Sequence, residues 1–242
     1  MKYSVIIPTL NEEKLLPVLL NQLNQEELRK EFEFEIIISD GSSNDNTVEI
    51  ALANADKVIV HTEKYKQNIA EGRNLGAEKA EGEILIFLNG DVKISSPFQL
   101  FSKIRSEFEN GKYIGMTCDV IVDPVQSKFE DKLFLGFYNY YFHWLNLIGM
   151  GMGRGECQVV SKKVFFEEKG YNKNLAAGED FDLFKRLRTR GKILFCHDID
   201  IHESPRRYRR YGHWHIFFTW LLNSISVVLR KKSFNKEWEQ VR

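Results

Sequence analysis

Apolar runs that close on acidic and glycine residues constrain this chain most. Tyr3–Thr9 reads as a continuous buried strand ending at Pro8. Ile36-Ile37-Ile38 leads into Asp40-Gly41-Ser42-Ser43-Asn44-Asp45-Asn46-Thr47, and Ile84–Leu88 leads into Asn89-Gly90-Asp91. Helical patterns lie between these runs. Leu15, Leu16, Leu19, Leu20 and Leu23 make one stripe that starts close to Pro17. A second helix is expected over residues 46–55, with Asn46 and Glu49 as its N-cap and N3 pair, and a third over residues 68–80. Residues 58–60 read as a short strand. Strand–helix alternation at this pitch predicts parallel βαβ units. Sheets of that kind bind ligands beyond the carboxyl ends of their strands. The acids therefore stand where a charged, metal-bearing ligand would sit, which points to an enzyme acting on a nucleotide-diphosphate substrate.

The second half is less regular. A helix is expected over residues 97–110, an extended segment over 113–122, a strand at Cys157–Ser161, a helix over 179–190 and a strand over 192–197. Residues 133–153 carry no formal charge and many aromatic rings, with glycines, asparagines and a histidine that make a poor lipid helix. Part of an acceptor pocket or an interfacial surface is the expectation there. No repeat and no interdomain linker is visible. Lysine plus arginine equals aspartate plus glutamate, at 34 each, so charge gives no case for nucleic acid. Cys118, Cys157 and Cys196 have neither disulfide nor CxxC spacing, and a reducing compartment fits. The first strand begins almost at once, which leaves no room for a signal peptide. The expected location is cytoplasmic, with peripheral contact at the cytoplasmic face of a membrane.

The polar clusters have plain structural accounts beside functional ones. Asn89-Gly90-Asp91 is turn chemistry, yet a carboxylate at a strand end is also a hard ligand for Mg²⁺ or Mn²⁺. The loop after Asp40 can simply cap a helix. Arg73 can lie on a solvated helix face or reach a phosphate. Glu179, Asp180 and Asp182 at a helix start, with Lys185, Arg186, Arg188 and Arg190 toward its end, complement the helix dipole.

These clusters occur in a fixed order: Ile6-Ile7-Pro8-Thr9-Leu10-Asn11-Glu12, the Asp40 loop, Gly72-Arg73-Asn74-Leu75-Gly76 through Ala80-Glu81-Gly82-Glu83, Asn89-Gly90-Asp91 and Glu179-Asp180. In that order and spacing the chain resembles family 2 glycosyltransferases, from Val5 to about His202. The resemblance implies the GT-A fold, a Rossmann-like, mainly parallel sheet flanked by helices. It implies sugar transfer from a nucleotide-diphosphate donor to an acceptor hydroxyl with inversion. Uridine diphosphate donors come first and guanosine diphosphate-mannose second. Asp180 maps to the base, with Glu179 orienting or binding the acceptor. Pro8, Thr9, Asn11, Glu12, Asp40 and Arg73 map to the nucleotide pocket, and Asp45 is a secondary candidate there. The family usually carries Asp-x-Asp where this chain has Asn89-Gly90-Asp91. Asn89 keeps hydrogen-bonding capacity for ribose beside Gly90, and Asp91 takes the metal position. His202 is a candidate further metal ligand.

A GT-A domain over residues 1–205 is expected, followed over 206–242 by a basic run and an amphipathic helix. Arg206 and Arg207, with Arg209 and Arg210, either close over the diphosphate as a lid or form a solvated or lipid-facing charge run. The departure from Gln-x-x-Arg-Trp argues against a polysaccharide synthase. In residues 214–229, His215, Thr219 and Asn223 make one polar stripe in an otherwise apolar helix, and Arg230-Lys231-Lys232 follow. Sixteen residues are short for a span. An interfacial helix, a homodimer contact or packing on its own domain are the options. The acceptor is a glycan, a lipid-linked sugar or a soluble molecule. Two rival readings differ in class. A nucleotidyltransferase should carry a glycine-rich basic loop after the first strand, and Pro8-Thr9-Leu10-Asn11-Glu12 stands there instead. A non-catalytic, membrane-associated scaffold or sugar-binding subunit draws support from Asn89 alone.

Overall fold

A computed structural model describes residues 2–108, 111–230 and 233 of the chain. Lys231 and Lys232, and the end of the helix expected to reach residue 110, lie outside them. The first half alternates as expected, with α2 and β5 as additions the sequence did not announce: β1 (Tyr3–Thr9), α1 (Leu16–Leu23), α2 (Glu26–Glu31), β2 (Phe34–Asp40), α3 (Thr47–Asn54), β3 (Lys57–Val60), α4 (Ile69–Lys79), β4 (Ile84–Leu88), β5 (Lys93–Ile94) and α5 (Pro97–Phe108). The second half contains β6 (Gly115–Val122), α6 (Phe129–Leu147), β7 (Cys157–Ser161), α7 (Lys162–Glu167), α8 (Glu179–Arg188), β8 (Ile193–Glu203), α9 (Arg206–Tyr211) and α10 (His213–Arg230).

Among the described residues eight strands join one sheet in the order β3-β2-β1-β4-β7-β6-β8-β5. The first four are mutually parallel. β7 runs antiparallel to both β4 and β6, and β5 runs antiparallel to β8. One edge of the sheet therefore collects the carboxyl ends of β1, β2, β4, β6 and β8 together with the amino end of β7. Side chains alternate faces along a strand, so each strand of the centre feeds two cores. Val5, Ile7, Ile36 and Ile38 pack with Leu19, Leu20 and Phe101 of α1 and α5. Ile6, Ile37 and Phe87 pack with Ala77, Phe165 and Phe184 of α4, α7 and α8.

The cap expected at Asn46 differs in detail. Asn46 precedes α3 but makes no side-chain cap bond. Asp45 accepts from the Thr47 amide instead, and Asn46 donates to Glu13. A complete capping box forms at α4, where the Asn68 carbonyl accepts from the Glu71 amide at 2.9 Å and the Glu71 carboxylate returns the bond. β8 runs to Glu203, well past the expected end at 197, because it pairs with both β6 and β5. The uncharged aromatic tract is largely helix α6, which packs with α10. Val122, Leu135, Tyr208 and Ile216 form the small core that seats α6, α9 and α10.

Two close approaches explain glycines. A Cβ on Gly82 would lie 2.5 Å from the Tyr3 carbonyl carbon and 2.7 Å from the Ser4 nitrogen, so backbone leaves it no room. Gly136, in α6, has nothing within 4 Å of that position. Gly82→Ala is expected to lose about 1–3 kcal/mol through overpacking. Gly136→Ala is expected to gain about 0.5–1 kcal/mol from helix propensity alone. Urea unfolding checks both, with opposite shifts of the midpoint at unchanged slope.

Candidate active site

The edge described above encloses a cavity of about 500 Å³. Pro8, Thr9 and Glu12 enter its wall from the end of β1, Asn89, Gly90 and Asp91 from the end of β4, and Arg206 and Arg207 from α9. The first loop is held open by a second. Asn11 takes a positive φ of 55°, donates its amide to the Ser43 hydroxyl at 2.8 Å, and accepts from the Asn44 amide at 2.8 Å. The Glu12 amide donates to Thr47 Oγ1 at 2.8 Å. Asn11 is thus a clip between loops and does not reach the cavity wall.

Asp40 is expected in the nucleotide pocket. It is fully buried, and its carboxylate accepts from the Thr9 hydroxyl at 2.9 Å, the Ser43 amide at 2.7 Å and the Ser43 hydroxyl at 2.5 Å. Its neighbours Ser39 and Gly41 line the cavity while Asp40 fixes the loop that presents them.

Arg73 differs in the same way. It is 1% exposed, so it can be neither a solvated helix residue nor a phosphate ligand in this conformation. Nη1 donates to Glu179 Oε1 at 2.9 Å, and Nη2 donates to Asn89 Oδ1 at 3.0 Å and to the Gly155 carbonyl at 2.7 Å. The guanidinium also lies 5.1 Å from the Tyr171 ring centre. Glu179, expected to meet the acceptor, spends its carboxylate on Arg73.

Asp180 stands next to that ion pair, at the first turn of α8. Its Oδ2 faces Gly155, where a Cβ would come within 3.3 Å, and Oδ1 accepts from the Phe181 amide at 2.7 Å. Burial, and then the negative charge of Glu179, push its carboxyl up to about 7. Asp180 sits behind Gly155, and the adjacent Glu156 is on the cavity wall.

Asp91 faces α9. Arg206 Nη2 donates to Asp91 Oδ2 at 2.9 Å and lies 3.4 Å from Glu12 Oε2. A guanidinium thus rests on the acid that the sequence reading assigns to metal. Burial lowers the affinity of Arg207 for its proton. Arg209 turns away and pairs with Asp131 at 2.6 Å. His202 is not brought to this place. Successive strand residues face opposite ways, and since Glu203 of β8 enters the cavity wall, His202 points to the other side, toward Asp123.

Two acids escaped the sequence reading. Glu156 precedes β7 and Glu203 ends β8, and both line the cavity. The Glu203 carboxyl is pushed up to about 8 by burial first and by Glu156 second, and it accepts from the Tyr208 hydroxyl. Arg154 is 2% exposed between these acids and the rings of Phe142 and Trp220, each 5.7 Å away. Acids at strand ends were the usable signal, but β7 is reversed, so its site residue lies before the strand.

Among the described residues no group of three or more His, Cys, Asp or Glu side chains is placed to hold a metal. The donor set at Asp91 fits a hard cation that takes most of its ligands from a bound diphosphate and water, as Mg²⁺ commonly does. The favourable seat that Asp91 and Glu12 give to a guanidinium shows that the position accepts positive charge.

With this geometry established, comparison with known proteins decides the family. Residues 4–165 match the model of glycosyl transferase family 2. The chain belongs to that family. A 4,4'-diaponeurosporenoate glycosyltransferase of Staphylococcus haemolyticus is 38% identical over 117 residues, which are 47% of this chain and 30% of that protein. The poly(ribitol-phosphate) beta-N-acetylglucosaminyltransferase TarS of Staphylococcus aureus is 35% identical over 98 residues, 39% of this chain and 17% of that one. The chain thus spans under a third of the length of these two family relatives. Among solved structures, the mannosyltransferase PcManGT of Pyrobaculum calidifontis, in complex with GDP-Man and Mn2+, superposes with a TM-score of 0.72 at 18% identity, over 99% of this chain and 65% of that one. S. aureus TarS 1-349 in complex with UDP-GlcNAc gives 0.60 at 18% identity, over 83% and 58%. The architecture is the GT-A fold.

The raised Glu203 carboxyl makes stability depend on pH with a definite sign. The folded state holds this proton more tightly than the unfolded chain does. Its contribution is therefore complete below about pH 4.5 and is lost as pH rises through about 8. Glu203→Gln removes that loss. Between those limits the melting temperature of the variant is expected to fall less than that of the wild type, as read by scanning calorimetry.

Proposed function

We propose that this glycosyltransferase moves a sugar from a nucleotide-diphosphate donor to an acceptor hydroxyl with inversion, using Asp180 as base. The observation that carries the reading is the pairing of two unlike carboxyls at one sheet edge. Asp91 is ion-paired at the cavity wall, while Asp180 is held beside the Arg73–Glu179 pair with its proton affinity raised toward neutrality. A base poised near 7 is suited to take a hydroxyl proton as the oxygen attacks.

The loops at Pro8–Glu12 and Ser39–Gly41 would receive the nucleotide, and Arg206 and Arg207 the diphosphate. Asp91 would hold a divalent cation, which when bound offsets the charge of the leaving diphosphate. Uridine diphosphate sugars and guanosine diphosphate-mannose are the donor classes to test. Both classes are named in the GT-A neighbours that TarS and PcManGT provide. The scaffold alternative loses its support, because Asn89 has a structural task as an acceptor for Arg73.

Asp180→Asn is expected to lower transfer by about 10²–10⁴ while nucleotide binding, followed by calorimetry, stays within about twofold of the wild type. Turnover above about a tenth of the wild type would remove Asp180 from the role of base. The acid limb of kcat/KM in the wild type is expected to bend near pH 7, with activity lost as pH falls, because the base must be unprotonated. Asp91→Ala is expected to abolish the gain in donor affinity that Mn²⁺ gives. Equal affinities for wild type and variant in Mn²⁺ would refute the metal role.

A further inference from the structure

We propose that the exposed faces of α6 and α10 dock this protein on the surface of an anionic lipid bilayer, beside the mouth of the cavity. In α6, Phe129, Leu133, Phe137, Tyr140, Trp144 and Leu147 are all exposed, from 55% at Trp144 to 74% at Phe129. At about 3.6 residues per turn they fall on one stripe. In α10, Trp214, Phe218, Leu221 and Leu222 are exposed, with Trp214 at 76%. On the inner side of α10, Ile216 is buried at 3% exposure together with Asn223 and Ser226 at 4% and 9%, while His215 is exposed. Trp214, Phe218, Leu221 and Leu222 thus leave a mainly apolar outer face on α10, with His215 as an exposed polar side chain beside it. Patches of this size mark interaction sites.

The chemistry of the patch selects a bilayer over a second copy of the chain. Aromatic side chains with a polar tip, such as Tyr140, Tyr141, Trp144 and Trp214, suit the headgroup boundary. After Lys132, α6 has no formal charge, and both its ends are cationic. Lys128 and Lys132 stand at its start, and Lys185 and Arg188 stand against the turn at residues 149–151 that follows it. Glu130 is the one exposed acid on the helix. Two copies packed through this face would set cations against cations at each end, whereas anionic headgroups complement both. Among the described residues no helix is long and apolar enough to cross a membrane, so the contact is with the surface.

The helix that carries the patch also reaches the site by its other side: Trp220, packed against Phe134 and Tyr138, lines the cavity. An acceptor hydroxyl carried by a lipid would reach the cavity along this helix. That delivery rests on the transfer reading above, whereas the docking does not.

Sedimentation of the full chain with vesicles tests the docking, using phosphatidylcholine alone and phosphatidylcholine mixed with phosphatidylglycerol. Partition into the mixed vesicles that weakens with salt is expected. It should fall at least about tenfold in Phe137→Ser/Trp144→Ser and in Trp214→Ser, but not in Leu52→Ser, an exposed leucine on α3. Brominated lipid is expected to quench the emission of Trp144 and Trp214, measured as the quenching lost in Trp144→Phe and Trp214→Phe. A cooperative melting transition confirms that each variant is folded, and its shift with UDP or GDP reads nucleotide binding separately. Absence of partition at low salt, or partition indifferent to these variants, overturns the proposal. So does a dimer that the double variant dissociates and that ignores vesicles. Vesicle binding without any nucleotide binding would keep the docking and sink the transfer reading.

Discussion

A guanidinium that is 1% exposed must find its compensation inside the protein, and Arg73 finds it in three separate segments. Glu179 supplies the opposite charge from the start of α8, Asn89 a neutral oxygen from the end of β4, and Gly155 a carbonyl from the approach to β7. Removing one partner of such a buried pair typically costs about 3–5 kcal/mol, because the other charge is left without water. The cluster thus fixes where α8 begins relative to the sheet edge. It also explains the neutral residue at position 89. One cation and one anion already balance there, and a carboxylate at 89 would add a second negative charge close to Asp180.

Around the cavity the same accounting continues with different residues. Asp91, Glu12, Glu156 and Glu203 bring acid to one wall, and Arg206, Arg207 and the buried Arg154 answer it. The balance is uneven from place to place. Arg206 sits directly on Asp91, whereas Glu203 is raised in proton affinity although Arg154 is near. Charge is therefore stored as ion pairs on the α9 side and as a held proton between β7 and β8.

Local pattern sufficed where structure is local. Sequence pattern gave the parallel half from β1 to β4 with α1, α3 and α4 but not the short α2, and the acid–glycine clusters gave the sheet edge on which the cavity lies. What the chain hid was direction and facing. Nothing in Cys157–Ser161 says that β7 runs backward, and so Glu156 went unnoticed. His202 and Glu203 are neighbours in sequence, and only the pleat decides which of them reaches the cavity. Asp40 and Arg73 carry the right chemistry for a ligand, but their burial, set by partners far along the chain, commits them to holding loops. The aromatic run after residue 133 was legible as a surface, but not as one helix whose inner side is packed against α10.

The order of strands has a consequence in time. β3, β2, β1 and β4 are consecutive pieces of the first 88 residues and pair among themselves. β5, at residues 93–94, has its one partner in residues 201–202. As the chain leaves the ribosome, the half-sheet ending in Asp91 can assemble early, with Arg73 already in α4 but its carboxylate partner still unmade. That arginine must wait for about another hundred residues before Glu179 appears. Until then the half-sheet presents β4 as an open edge, and closure depends on contacts distant in sequence, which form slowly. A nascent chain stalled between these points would display one wall of the cavity with a buried guanidinium still lacking its carboxylate.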